Sequence, residues 1–189
     1  MVDSRRCGNK QHVTVAEGSL LRVLITCLTL VLLTGCDRNI DQPDCGSTIQ
    51  SQDYGRFIVD GSDGLARHIS GTVWYRCAAG QSFRGKKCLG ESLALTRSEA
   101  DAYVREFSEK SGEIWRLPTK DEFEQITESS CDNPAANPNV FPGLAVVNYW
   151  TADSSWHGDR FGCSIYMYKG STYCRQASQI EQPILMVKD

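Results

Sequence analysis

Hydrophobic and polar positions follow different patterns in different parts of the chain. From Val23 to Leu33 the run VLITCLTLVLL is almost continuously apolar, carries no charge and follows Arg22. As a helix its eleven residues rise only about 16 Å, against ~30 Å for a hydrocarbon core, so it is a poor membrane span. With Arg5, Arg6 and Lys10 before it and small residues after it, the pattern predicts a cleavable export signal covering residues 1–35. Residues 37–53, DRNIDQPDCGSTIQSQD, show no period of either kind. With Cys36 they read as a polar tether over 36–53.

Beyond residue 54 the pattern becomes that of a folded domain, 54–189. Strand-like runs at Arg56 to Val59 and Thr72 to Arg76 are separated by the turn-rich DGSDG. Thr96-Arg97-Ser98-Glu99 has capping-box spacing and is followed by Ala100, Tyr103, Val104 and Phe107 on one helical face, with Gly112 as the stop. Thr119-Lys120-Asp121-Glu122 repeats the device after Pro118, with Phe123 and Ile126 facing inward and an end expected between Ser129 and Cys131. NPAANPNVFPG then predicts a long loop. Strand signals return at Val146 to Thr151, Phe161 to Tyr168, Ser171 to Arg175 and Ile184 to Val187. Strands, two central helices and strands again predict an α+β domain with a short antiparallel sheet and long loops.

Charge narrows the partners. Removing 1–35 leaves 189 − 35 = 154 residues, with 20 − 4 = 16 basic and 23 − 2 = 21 acidic side chains. A net charge near −5 argues against nucleic acid or an anionic membrane surface as the main partner. After Cys36 there remain Cys45, Cys77, Cys88, Cys131, Cys163 and Cys174, an even set that reads as three disulfides. Without a Cys-x-x-Cys pair or clustered histidines, zinc is not expected, and no other metal or cofactor is implied. Cys77 and Cys88 enclose a short loop with Gly80 and Gly85, which predicts that they pair. If Lys169-Gly170 is the tip of a hairpin, Cys174 faces Ile165. Cys131 is then expected to pair with Cys163 or Cys174, and the other of these with Cys45.

Two resemblances sharpen the picture. Leu33-Thr34-Gly35-Cys36 resembles the bacterial lipobox, which implies that Cys36 is lipidated and becomes the mature amino terminus. Each buried methylene of such a lipid contributes about 0.8 kcal/mol, so several acyl chains suffice for an anchor. Asp37 resembles the residue that retains some lipoproteins in the inner membrane, so the anchor implies the cell envelope, on its periplasmic face or on the cell surface.

WRLPTKDEFEQI, Trp115 to Ile126, resembles the RLPT-x-x-E string of sulfatase-modifying-factor-like members of the C-type-lectin-like superfold. A broader resemblance is to the family named for the C-terminal domain of the collagen-like adhesin Lcl. It runs through Trp74, Arg76, Cys77, Gly80, Gln81, Phe83, Cys88 and Gly90, then WRLPT with Glu122, Asn133-Pro134-Ala135, Phe141-Pro142 and Tyr149-Trp150-Thr151, to the last strand at Leu185 to Lys188. It implies a C-type-lectin-like fold with disulfide-stapled loops. Trp74, Trp115 and Trp150 are expected in the core, Pro118 and Glu122 at a helix start, and Arg116 either paired internally or exposed.

For such a module the leading function is non-catalytic binding of a protein or glycan, as an adhesin or receptor. The alternative is an accessory subunit of a periplasmic assembly. Trp156, His157, Asp159 and Arg160, with Tyr166, Tyr168, Tyr173 and Arg175 along the last hairpin, form the candidate ligand surface, because Trp, Tyr and Arg are enriched at contact hot spots. An enzyme is not expected, since a formylglycine-generating chemistry needs redox-active or metal-binding cysteines. Nor is calcium-dependent sugar binding, since Gln182-Pro183-Ile184 and Asn137-Pro138-Asn139 lack the companion strand motif.

Overall fold

The computed structural model describes residues 42–60 and 63–189; the expected export segment 1–35, the expected lipidation at Cys36 and the first residues of the expected tether lie outside that range. The folded part begins earlier than the tether reading predicts. The Asp44 carboxylate accepts from Gly46 N at 2.7 Å and caps one helical turn, α1 (Cys45–Thr48), and Cys45 is buried in a disulfide with Cys131. The Asn139 side-chain amide donates to the carbonyls of Gln50 and Asp53, and that of Asn137 to Asp53. The polarity of 44–53 therefore serves hydrogen bonds to the Asn/Pro-rich loop, and the domain boundary at 54 is corrected to Asp44.

Five short strands form the main sheet in the order β1 (Phe57–Val59), β2 (Leu65–His68), β3 (Val73–Tyr75), β10 (Val187–Lys188) and β6 (Trp115–Arg116), all antiparallel. A hairpin of β4 (Ser82–Arg84) and β5 (Lys87–Leu89) carries Cys88, which pairs with Cys77 as the short loop predicts. A third sheet has the order β7 (Asn148–Ser154), β8 (Phe161–Tyr166), β9 (Ser171–Ala177). Helices α2 (Arg97–Ser111) and α3 (Lys120–Ile126) both begin in complete capping boxes, on Thr96 with Glu99 and on Thr119 with Glu122. This is the expected α+β class with short antiparallel sheets and stapled loops. β2 carried no clear strand signal. Helix α3 stops at Ile126, short of Ser129, because Thr127 is extended and turns its hydroxyl back onto Phe123 O at 2.8 Å.

Two apolar clusters fill the interior. One gathers Trp74, Phe57, Phe123, Phe141, Tyr149, Ile165, Leu185 and Val187, with Phe123 and Phe141 edge-on to Trp74 at 5.6 and 5.8 Å. The other holds Trp115, Trp150, Leu117, Val104, Ile184 and Met186. Trp74 and Trp150 are fully buried and Trp115 nearly so, as expected. Each fully buried tryptophan removes ~200 Å² from water, a gross gain of about 5 kcal/mol before entropy is counted.

The pairing of the remaining cysteines corrects the hairpin reading. Tyr166 pairs with Ser171 and Ser164 with Tyr173, so the turn is centred on Tyr168-Lys169, one residue earlier than expected, and an irregularity separates Gly162 from Ser164. Moving the centre by one residue moves the register by two, which brings Cys163 beside Cys174. They bond to each other, and Cys131 is left to Cys45.

Arg116 is paired internally. Its guanidinium donates to both Glu122 oxygens at 2.7 and 2.8 Å and, through Nε, to Asp189 Oδ1 at 2.8 Å. Glu122 also accepts from Thr119 N at 2.8 Å. Burial opposes its charge, yet the Arg116 guanidinium and Thr119 hold the carboxyl below its ordinary value. Glu122→Gln should lower stability by about 2 kcal/mol, as expected for losing charge-assisted bonds, in urea unfolding with the disulfides intact.

His68 gives a pH signature. It is buried against Phe57, its Nδ1 accepts from Ser70 N, and Nε2 has no partner. Burial, then the nearby Arg56 charge, push its pKa below the ordinary 6.5. The unfolded chain then binds more protons at this site than the folded one, so the site's contribution to stability is lost as pH falls through 6.5. Stability should decline between about pH 7 and pH 5, and the slope of that decline should be smaller in His68→Gln.

Candidate functional site

The sequence-predicted contact residues fall at opposite ends of the β8–β9 hairpin. Residues 155–160 join β7 to β8 at one end, and the turn at 167–170 joins β8 to β9 at the other. The six residues of β8 separate the two ends by about 17 Å, so the eight candidates form two surfaces instead of one.

At the first end the loop is tied down by its backbone. Ser155 is buried and its hydroxyl donates to Cys174 O at 2.5 Å, while His157 N donates to that hydroxyl at 3.2 Å. Gly158 N and Phe161 N close two further turns onto Ser155 O and Gly158 O. Ser178 fixes the rest, donating from Oγ to Asp159 O at 3.0 Å and from N to Arg160 O at 2.9 Å. The Asp159 and Arg160 side chains stay exposed, and Trp156, 84% exposed, lies against the His157 ring with 3.6 Å between centroids. The Cys163–Cys174 bridge lies directly under this loop, so the loop that presents Trp156 rests on a cross-linked hairpin.

Beside the loop is an open cleft of about 170 Å³ between the start of α2 and β7–β8. Arg97 forms its floor, paired with Asp101 and donating to Ala152 O at 3.1 Å. Asp153 is half-buried there and accepts from Lys120 N at 2.7 Å, tying the cleft to the start of α3. Gly162 is required on the inner wall, since a Cβ there would come within 2.9 Å of the Trp150 ring. Small-molecule pockets usually hold ~300–1,000 Å³, so this one suits a single side chain or small polar group within a larger contact. Arg97, Asp101 and Asp153 were not singled out by sequence. The Arg97 and Asp101 spacing of four on a helix was a visible cue, whereas Asp153 reaches the cleft only through tertiary packing.

At the other end, Tyr166 and Tyr173 project from the same sheet face at diagonal positions, 42% and 52% exposed. Tyr168, in the turn, stacks on Tyr166 with 6.2 Å between centroids, and Lys169 lies over Tyr168. Arg175, exposed on the edge strand next to Cys174, lies toward the first end instead, beside the irregularity between Gly162 and Ser164. Gln182, of the motif tested against calcium lectins, is buried and pairs its backbone with Leu95. Among the described residues no three His, Cys, Asp or Glu side chains gather as a metal site, and all six cysteines are disulfide-bonded.

A comparison with curated proteins returns no match, and neither does one with solved structures. A family model does match, the Lcl C-terminal domain, over residues 67–187. That span contains every strand from β3 to β9, both long helices, the cleft and both exposed ends of the hairpin. The chain belongs to the Lcl C-terminal domain family.

Proposed function

We propose that the protein is a non-catalytic binding module held at the bacterial cell envelope by a lipid on Cys36, and that its contact face is the loop carrying Trp156 with the adjoining cleft. Trp156 carries the reading: a large ring, 84% exposed, stands on a loop fixed by Ser155, Ser178 and a disulfide. Exposed aromatic anchors on a rigid support lose little entropy on contact, which is what a hot spot requires. The WRLPT residues support the scaffold instead: Arg116 is held by Glu122 and Asp189, Leu117 and Pro118 are buried, and Thr119 caps α3. A formylglycine-generating chemistry would need reactive cysteines, and the six described ones are tied in pairs. Within the binding class, Asp37 supports a periplasmic assembly partner as the second reading, against an adhesin or receptor on the surface.

Protease shaving of intact cells, with Cys36→Ala as the anchor control, separates these two. Loss of the domain from intact cells supports the surface reading, and protection until the envelope is opened supports the periplasmic one. The contact face is tested by a photo-crosslinking residue at position 156, which should give a discrete adduct in cells where the same residue at the exposed Ile69 gives none. Trp156→Ala should weaken partner binding by tenfold or more, about 1.4 kcal/mol, with unfolding stability unchanged within ~0.5 kcal/mol.

A further inference from the structure

The tyrosine end of the hairpin is the part of the candidate surface that the proposed contact face leaves unused. It lies beside the point where the chain enters the domain. Cys45 N donates to Asp132 O and Asp132 N to Pro43 O, both at 2.9 Å, and the Cys45–Cys131 disulfide locks this crossing. Asn133 then links the entry to the turn: its side chain donates to Asp44 Oδ2 at 3.1 Å and its backbone N to Tyr168 O at 2.9 Å. Lys169 adds a contact to Asp132 at 3.7 Å. The half-buried Tyr168 therefore sits beside the entry point, with the exposed Tyr166 stacked on it and Tyr173 diagonal to Tyr166, and Trp156 lies one strand length away.

Position 44 is 44 − 36 = 8 residues from Cys36, a distance that even a fully extended chain spans with only about 28 Å. We propose that, in the lipid-anchored protein, the face of Tyr166, Tyr168 and Tyr173 rests in the interfacial zone of the bilayer and holds the Trp156 loop outward. The inference rests on the anchor at Cys36 proposed above. A tyrosine ring has an apolar body and a polar tip, which suits the boundary between acyl chains and headgroups. The tyrosines themselves carry no charge and Lys169 beside them is engaged by Asp132, in keeping with a mature chain near −5 that gains nothing from anionic lipid. It supplies a second, weak signal beside the lipid and fixes an orientation that a lipid alone leaves free.

The test is enzymatic iodination of the full lipidated protein, inserted from outside into phosphatidylcholine–phosphatidylethanolamine vesicles, with Cys36→Ser protein in the same buffer as reference. The peroxidase is confined to water, so tyrosines resting on lipid escape it. Mass spectrometry should show modification of Tyr166 and Tyr173 falling several-fold on vesicles, in low and high salt alike, with Tyr103 on α2 unchanged as the internal standard. Flotation reports the anchor separately. If the lipidated protein floats and Cys36→Ser does not, yet Tyr166 and Tyr173 react equally in both, the anchor stands and the orientation is overturned. If neither protein floats, the anchor reading and this inference fall together. Protection of the tyrosines in Cys36→Ser protein without vesicles would assign the face to self-association and also overturn the proposal.

Discussion

The structure depends on one segment that has no exposed side. Ile184 and Met186 enter the cluster of Trp115 and Trp150, while Leu185 and Val187 enter that of Trp74 and Phe123. The alternation of a strand thus serves two cores at once, and Val187 and Lys188 complete the main sheet between β3 and β6. Tyr75 N and Ala79 N donate to Met186 O and Ile184 O, so the same segment holds the stretch leading into Cys77. Both long helices, through Ala100, Val104, Phe123 and Ile126, and the third sheet, through Tyr149, Trp150 and Ile165, enter the two clusters that these residues share.

Long loops are compatible with so small an interior because they are fixed locally. The Asn137 and Asn139 amides bind the carbonyls of 50 and 53, the Arg76 guanidinium donates to the carbonyls of Val140 and Asn139 at 2.8 and 2.7 Å, and three disulfides close the remaining freedom. Arg76 is buried and lies over the Phe83 ring at 4.2 Å, which joins the β4–β5 hairpin to that loop. Burial pulls its pKa down against the opposing influence of Tyr54 and Asp63, and the two carbonyls with the ring receive the guanidinium directly.

Features governed by short-range chemistry were legible in the sequence. Both capping boxes, the glycine stop at Gly112 and the Cys77–Cys88 loop follow from spacing and residue type, and the burial of Trp74, Trp115 and Trp150 from the family resemblance. Those governed by register were not. One residue in the position of the Lys169-Gly170 turn decided whether Cys163 met Cys174, and no local signal distinguishes the two centres. The same applies to the candidate surface. Residue types pointed to Trp156 through Arg175, but only the direction of β8 shows that they divide into two ends. The cleft beside Trp156 was illegible for a related reason, since Arg97, Asp153 and Ser178 come from three separate elements.

The central place of β10 bears on the order in which such a chain can fold. Because β10 fills the gap between β3 and β6, neither apolar cluster can close until residues 184–187 have left the ribosome. Until they emerge, β3 and β6 lack the strand that joins them. Contacts of the largest sequence separation, such as Val187 with Trp74, are therefore the ones that complete the interior.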